Sequence, residues 1–199
     1  MNLGAVEPIA LFALVATITP GGATALATAS GAQFGFRRTV PLIAGIAAGL
    51  ASLAAAAAAG LGSLLMSAPS LELLLKLVGS AYLVYLAWKI GRAGRPGARK
   101  GDAAPLGFLA GIGLLWLNPK GWAMTLAAAA AFAALAHGPA QLALMLGSSF
   151  CLAAMFSLVL WSSAGMVLAR ILRTDGQWRV LNAILGLLLA ATLVPIWLA

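Results

Sequence analysis

ITPGG at residues 18–22 and LNPKG at residues 117–121 are the two stretches on which the fold turns. Each sets a proline beside glycine some way into a long apolar segment, and Pro20 and Pro119 lie about half the chain apart. Proline inside a helix removes a backbone hydrogen bond and clashes with the preceding turn. Neighbouring glycine weakens the helix further. Thr and Asn are favoured N-caps and proline is favoured at the first helical position. Thr19-Pro20 and Asn118-Pro119 each therefore predict a new half-helix starting inside a longer segment. Two such starts would bring unpaired N–H groups and positive dipole ends to one depth, an arrangement suited to hold a carboxylate.

The surrounding composition says what medium those segments occupy. Of the 199 residues, 63% are hydrophobic and 8% charged, with a mean hydropathy of +1.04. Soluble domains carry roughly 25% charged residues, and a particle this small has too much surface to solvate with so few. A soluble enzyme, a disordered chain and a disulfide-stapled scaffold are all excluded. The chain reads as an integral membrane protein, in which irregular backbone at mid-depth survives only if buried or lining a wet cavity. The opening MNLGAVEP has no Lys/Arg-rich region of the signal-peptide kind, so the first apolar segment is expected to stay.

Apolar segments near 6–30, 40–66, 71–91, 105–134, 140–169 and 178–197 predict six membrane-spanning helices in one transmembrane domain covering 1–199. Each meets the roughly 20 residues needed to cross the hydrocarbon. Ten of the 12 Lys and Arg residues fall in alternate gaps: Arg37 and Arg38; Lys89, Arg92, Arg95, Arg99 and Lys100; Arg170, Arg173 and Arg179. This charge explains the net +8 without nucleic acid. By the positive-inside rule these gaps face the cytoplasm and both termini face outward. Trp88 and Trp178 are expected at the inner interface and Trp197 at the outer one. The basic linker 94–104 divides the chain into repeats 1–93 and 105–199. Three spans each is an odd number, so the repeats are expected to be inverted, as in many secondary transporters.

Lys120 sharpens the expectation. A lysine at that depth costs roughly 2.5–3.5 kcal/mol on insertion scales and needs a partner or a task. Glu7 and Glu72 stand near the outer ends of their helices and are not at its depth. Gly31-xxx-Gly35, Gly45-xxx-Gly49 and Gly107-xxx-Gly111 predict close helix contacts. Cys151 is expected in core packing, and Lys76 to snorkel or to pair with Glu72. Ser148, Ser149, Ser157, Ser162, Ser163 and Asn182 are expected chiefly in bonds between helices. His137 sits in an outer turn. The sequence contains no nucleotide loop, catalytic triad or metal-ligand cluster, and no cofactor is expected.

In ITPGGATALATASGAQFGFRRTVPLIAGIAAGL (18–50), LKLVGSAYLVYLAWKIGRA (75–93) and FLAGIGLLWLNPKGW (108–122) the chain resembles the lysine-exporter (LysE/RhtB) family of translocators over nearly its whole length. The resemblance implies six helices in two inverted halves, and proton-motive-force-driven efflux of amino acids across the bacterial inner membrane. It also implies a homodimer. Here Gly22 and Ala23 stand where the family's first motif usually carries a second proline and an asparagine. Leu50 stands where the family often places an acid, so a carboxylate for a cationic side chain is missing.

The sequence therefore predicts a secondary exporter of neutral or apolar amino acids, or related small carboxylates, with a midplane site at Thr19, Pro20, Gly21, Gly22, Asn118, Pro119, Lys120 and Gly121. The expected partners are the substrate, a proton as counter-ion and membrane lipid. An inorganic-ion exporter of a related superfamily predicts clustered Asp, His or Cys within the spans. An enzyme predicts titratable groups converging at one depth. A non-transporting scaffold predicts that altering the two breaks leaves function intact.

Overall fold

The computed structural model describes residues 3–60, 69–95, 104–194 and 197. All regular structure among these residues is helical: α1 (Leu3–Ile18), α2 (Gly22–Phe34), α3 (Phe36–Ala58), α4 (Pro69–Gly91), α5 (Phe108–Trp116), α6 (Pro119–Phe132), a single 3-10 turn (Ala133–Leu135), α7 (Pro139–Ile171) and α8 (Asp175–Ala191). Helices α3 and α7 are each long and apolar enough to cross a membrane. Val6–Ile18 of α1 and α2 together make a third apolar length, bent by 60° at the break between them. The predicted end of the second segment, 61–66, and most of the linker, 96–103, lie outside the described residues, as does the side chain of Glu72.

Helices α3 and α7 form the centre. Helix α3 packs most extensively on α7 and then on α5, α7 also carries α2 and α1, and α4 pairs with α8 alongside. Small residues set these contacts. A Cβ on Gly31 of α2 would overlap the carbonyl of Ser162 in α7, and one on Gly165 of α7 would overlap that of Thr28 in α2. Gly45 meets the backbone of Phe108, and Gly111 meets Leu42 and Ile46, so α3 and α5 interlock in the same way. Between helices in lipid there is no hydrophobic drive, and backbone-to-backbone approach of this kind supplies dispersion contact instead. Within the expected glycine pairs, Gly31, Gly45, Gly49 and Gly111 take part, whereas Gly35 and Gly107 have open space around them.

The core is filled by Ile9, Leu42, Ile46, Leu83, Leu86, Leu114, Leu146 and Phe150. Phe12 meets Phe132 and Phe150 edge-on, at centroid distances of 5.7 and 6.3 Å. The outer surface is apolar too, with Leu109, Leu144, Leu152 and Leu187 exposed, as befits a molecule solvated by hydrocarbon. Cys151 is half-buried against the core.

One expectation is corrected here. Arg37 and Arg38 occupy the first turn of α3 and not a gap. Gly35 is the single residue between α2 and α3, at φ +76°, a conformation open to glycine at little cost. Trp178 is 1% exposed and packs inside the protein, whereas Trp88 and Trp197 are 56% and 52% exposed. The cause is local. The Thr174 hydroxyl accepts from the Gln177 N–H at 3.2 Å, and the Gln177 side chain accepts from the Thr174 N–H at 3.1 Å. This capping box starts α8 at Asp175, earlier than the apolar run suggests, and Trp178 falls on its inward face.

Candidate functional site

The second break follows the sequence grammar. Helix α5 stops at Trp116, and Asn118 at ψ 110° leaves the helical region. Its side-chain oxygen accepts from the Lys120 N–H at 3.0 Å, with Pro119 at the first turn of α6. Asn118 is 3% exposed, so this cap is an interior one. The indole of Trp122 donates to the Trp116 carbonyl at 2.8 Å, satisfying an acceptor at the end of α5.

The first break lies where expected, but its cap differs. The Thr19 hydroxyl turns back and donates to the Val15 carbonyl at 2.6 Å, which prolongs α1. Pro20 has no N–H with which to continue the helix. Gly21 follows in extended backbone, φ −175°, and is the N-cap residue of α2. Its N–H donates to the Thr24 hydroxyl at 2.7 Å, and that hydroxyl donates to the Gly21 carbonyl at 2.9 Å. The cap is thus Gly21 with Thr24, and Thr19-Pro20 forms the connection.

The two breaks meet. The Lys120 ammonium donates to the Thr19 carbonyl at 3.2 Å. Its side chain lies over Gly21, where an added Cβ would stand 3.1 Å from Nζ and 3.4 Å from Cδ. A Cβ on Gly22 would stand 2.6 Å from Leu189 Cδ1 and 3.7 Å from Asn118 Nδ2. Bare backbone at positions 21 and 22 therefore admits Lys120 from one side and Leu189 from the other.

Around this junction is a small, partly open cleft of ≈ 30 Å³. Thr19, Gly21, Gly22, Asn118, Lys120 and Gly121 line it. Pro20 and Pro119 do not, and act by shaping the two turns. Ile46 and Leu50 of α3, Leu115 of α5, Met124 of α6, and Ala154 and Leu158 of α7 form the apolar wall. Lys120 is the one charged residue in that lining.

Most of the apolar lining and the supporting Trp161 escaped the sequence reading. The Ser157 hydroxyl donates to the Thr17 carbonyl at 2.8 Å, and the Trp161 indole donates to the Ile18 carbonyl at 3.1 Å. Both come from α7, four residues apart and so on one face. The i,i+4 spacing of a hydroxyl and an indole in an apolar run was the available signal. Ser157 and Asn182 do bond between elements as expected, Asn182 to the Gly94 carbonyl at 2.9 Å. Among the described residues Ser148 bonds to carbonyls of its own helix. The backbone N–H of His137 donates to the Gln141 side chain at 2.8 Å, in the turn before α7.

The model of the LysE-type translocators matches residues 14–193, which takes in both breaks and the whole cleft lining. The chain belongs to the LysE-type translocator family. It is 34% identical over 191 residues to the cysteine/O-acetylserine efflux protein of Salmonella paratyphi A, with 94% of each chain covered. The protein of the same name from Escherichia coli K12 is 34% identical over 190 residues, again with 94% of each covered. No solved structure matches the chain. This LysE-type translocator is therefore a membrane transporter and not an enzyme. Its cleft is lined from both halves of the matched region.

Proposed function

We propose that this LysE-type translocator exports small neutral amino acids across the bacterial inner membrane, and that the cleft is its substrate site. The observation that carries the reading is the junction itself: a lysine ammonium and two half-helix starts converge on a pocket whose other walls are apolar side chains with the threonines Thr17, Thr19 and Thr24. A substrate carboxylate would pair with Lys120 and with the positive ends of α2 and α6. The side chain would lie against Ile46, Leu50, Met124 and Leu158. No carboxylate lines the cleft among the described residues to receive a cationic side chain. The relatives named for cysteine and O-acetylserine efflux point to the same chemistry, since both compounds are small, neutral α-amino acids.

Transport would proceed by rocking two inverted three-span repeats, 1–93 and 105–199, with protons as counter-ion. The order of elements supports this arrangement: a broken helix, a long helix and a third helix occur twice. Each long helix also leans on the broken helix of the other half, α3 on α5 and α6, α7 on α1 and α2. The charge pattern supports cytoplasmic basic ends and external termini. Reporter fusions at Arg95 and after the last residue should read cytoplasmic and external respectively.

Efflux measured in inverted vesicles with a panel of amino acids tests the proposal. Transport of small neutral members, lost in Lys120→Ala and reduced in Pro20→Ala, is the expected result. Wild-type rates in both variants, with normal folding, would remove the cleft from consideration. Failure of every amino acid to move would remove the function.

A further inference from the structure

At the end of α1 three successive carbonyls, the first buried and the last at the exposed rim of the cleft, each meet a donor from a distant part of the chain. Thr17 takes the Ser157 hydroxyl at 2.8 Å and Ile18 takes the Trp161 indole at 3.1 Å. Thr19 takes the Lys120 ammonium at 3.2 Å. The first two donors are neutral, carry a single hydrogen each and belong to one face of α7, so they hold the helix end in place. The third differs in every respect. It is a cation on a flexible stem with three hydrogens, has one acceptor among the described residues, and makes its bond at the exposed rim of the cleft.

A primary ammonium at the negative end of a half-helix is also what the amino group of an α-amino acid would become on entering this cleft. Resting on the reading of the cleft as an amino-acid site, we infer that Lys120 is a tethered stand-in for the substrate's ammonium group. Its Nζ caps the Thr19 carbonyl at 3.2 Å. An entering substrate places its own ammonium there and displaces Lys120, whose freed charge then pairs with the substrate carboxylate. One exchange thus satisfies both charges, and neither carbonyl nor ammonium is left unpaired at mid-depth. A ligand with only one of the two groups gains nothing from it. A lone carboxylate must pull Lys120 away and strand the Thr19 carbonyl, and a lone amine must evict Lys120 without giving it a partner. Ser157 and Trp161 act as positioning residues that keep the α1 end fixed while its last carbonyl changes partner.

The test is ligand binding to the purified full chain in detergent, by titration calorimetry, with three probes. O-acetyl-L-serine carries both groups, its isomer N-acetyl-L-serine lacks the ammonium, and L-alaninamide lacks the carboxylate. Wild type is expected to bind O-acetyl-L-serine about tenfold or more tightly than either single-group probe, the scale of one charged hydrogen bond. In Lys120→Met the Thr19 carbonyl is vacated, so L-alaninamide should bind several-fold tighter than to wild type, because affinity rises with the fraction of molecules whose site is open. Gly21→Ala provides the second variant: its Cβ would crowd the resting Nζ at 3.1 Å while leaving the charge present. There L-alaninamide should again bind more tightly than to wild type. If wild type binds O-acetyl-L-serine but neither variant gains affinity for L-alaninamide, the stand-in role is wrong and the substrate site survives. If wild type binds none of the probes and exports no amino acid, both readings fall together.

Discussion

The Lys120 ammonium and the Thr19 carbonyl, 101 positions apart in sequence, are 3.2 Å apart in the fold. One belongs to the first turn of α6 and the other to the residue just beyond α1. Their hydrogen bond ties the two helix breaks together and places a positive charge at the mouth of the cleft.

Replacing Lys120 with Ala removes that charge and a charge-assisted hydrogen bond. Export of O-acetyl-L-serine is expected to fall about tenfold or more, with the folded fraction unchanged by size-exclusion profile. Lys120→Arg should restore part of the rate, since Arg keeps the charge but spreads it over a rigid fork.

Asn118 performs two jobs that substitutions can separate. Asn118→Ala loses the cap on the Lys120 N–H and should cost about 1 kcal/mol of stability, visible as a lower Tm. Asn118→Asp keeps the cap yet puts a carboxylate in the cleft lining. It should hold the Tm near wild type while suppressing export of a carboxylate-bearing substrate. Equal export by wild type and Asn118→Asp would show that no substrate carboxylate approaches this break.

The helix crossings predict a contrast among glycines. Gly31→Ala and Gly165→Ala would drive a methyl into the backbone of the facing helix, and overpacking of this kind costs about 1–3 kcal/mol or more. Gly113→Ala, in α5 with nothing within reach of its Cβ, should be neutral or stabilising by up to about 1 kcal/mol through helix propensity. Thermal unfolding of the three variants in one detergent checks the ordering.

Leu50 is 2% exposed and shares the cleft lining with Lys120. Leu50→Glu would place a carboxylate in the same pocket, where it would pair with the lysine. Export of neutral amino acids should then drop markedly, while Leu50→Met, which keeps volume and polarity, should stay near the wild-type rate. Competition between a neutral and a cationic amino acid measures the change.

Much of this architecture is readable from residue types alone, for a reason that differs by feature. The membrane medium follows from composition, because so few charges cannot hydrate a chain of this length. The second break follows from Asn118-Pro119, where the cap donor and acceptor are two residues apart and no distant contact is needed. The first break resisted in detail. A threonine hydroxyl can bond forward or back, and at Thr19 it bonds back to Val15, handing the cap to Gly21 and Thr24. The start of α8 at Asp175 was legible too, in the capping box of Thr174 and Gln177, which went unread.

Local chemistry by itself thus determined an all-helical, lipid-solvated chain, two interrupted helices, and a lysine too deep in the apolar run to be incidental. Those properties arise from interactions within about one helical turn, or from hydration summed over the chain. Only the tertiary structure decided that Lys120 reaches Thr19, that Ser157 and Trp161 hold the end of α1, and that Leu50 faces the same cleft. Each of these depends on where separate helices cross. The crossings are set by bare backbone at Gly31, Gly45, Gly111 and Gly165 meeting its counterpart, a fit between surfaces that no single stretch of sequence contains.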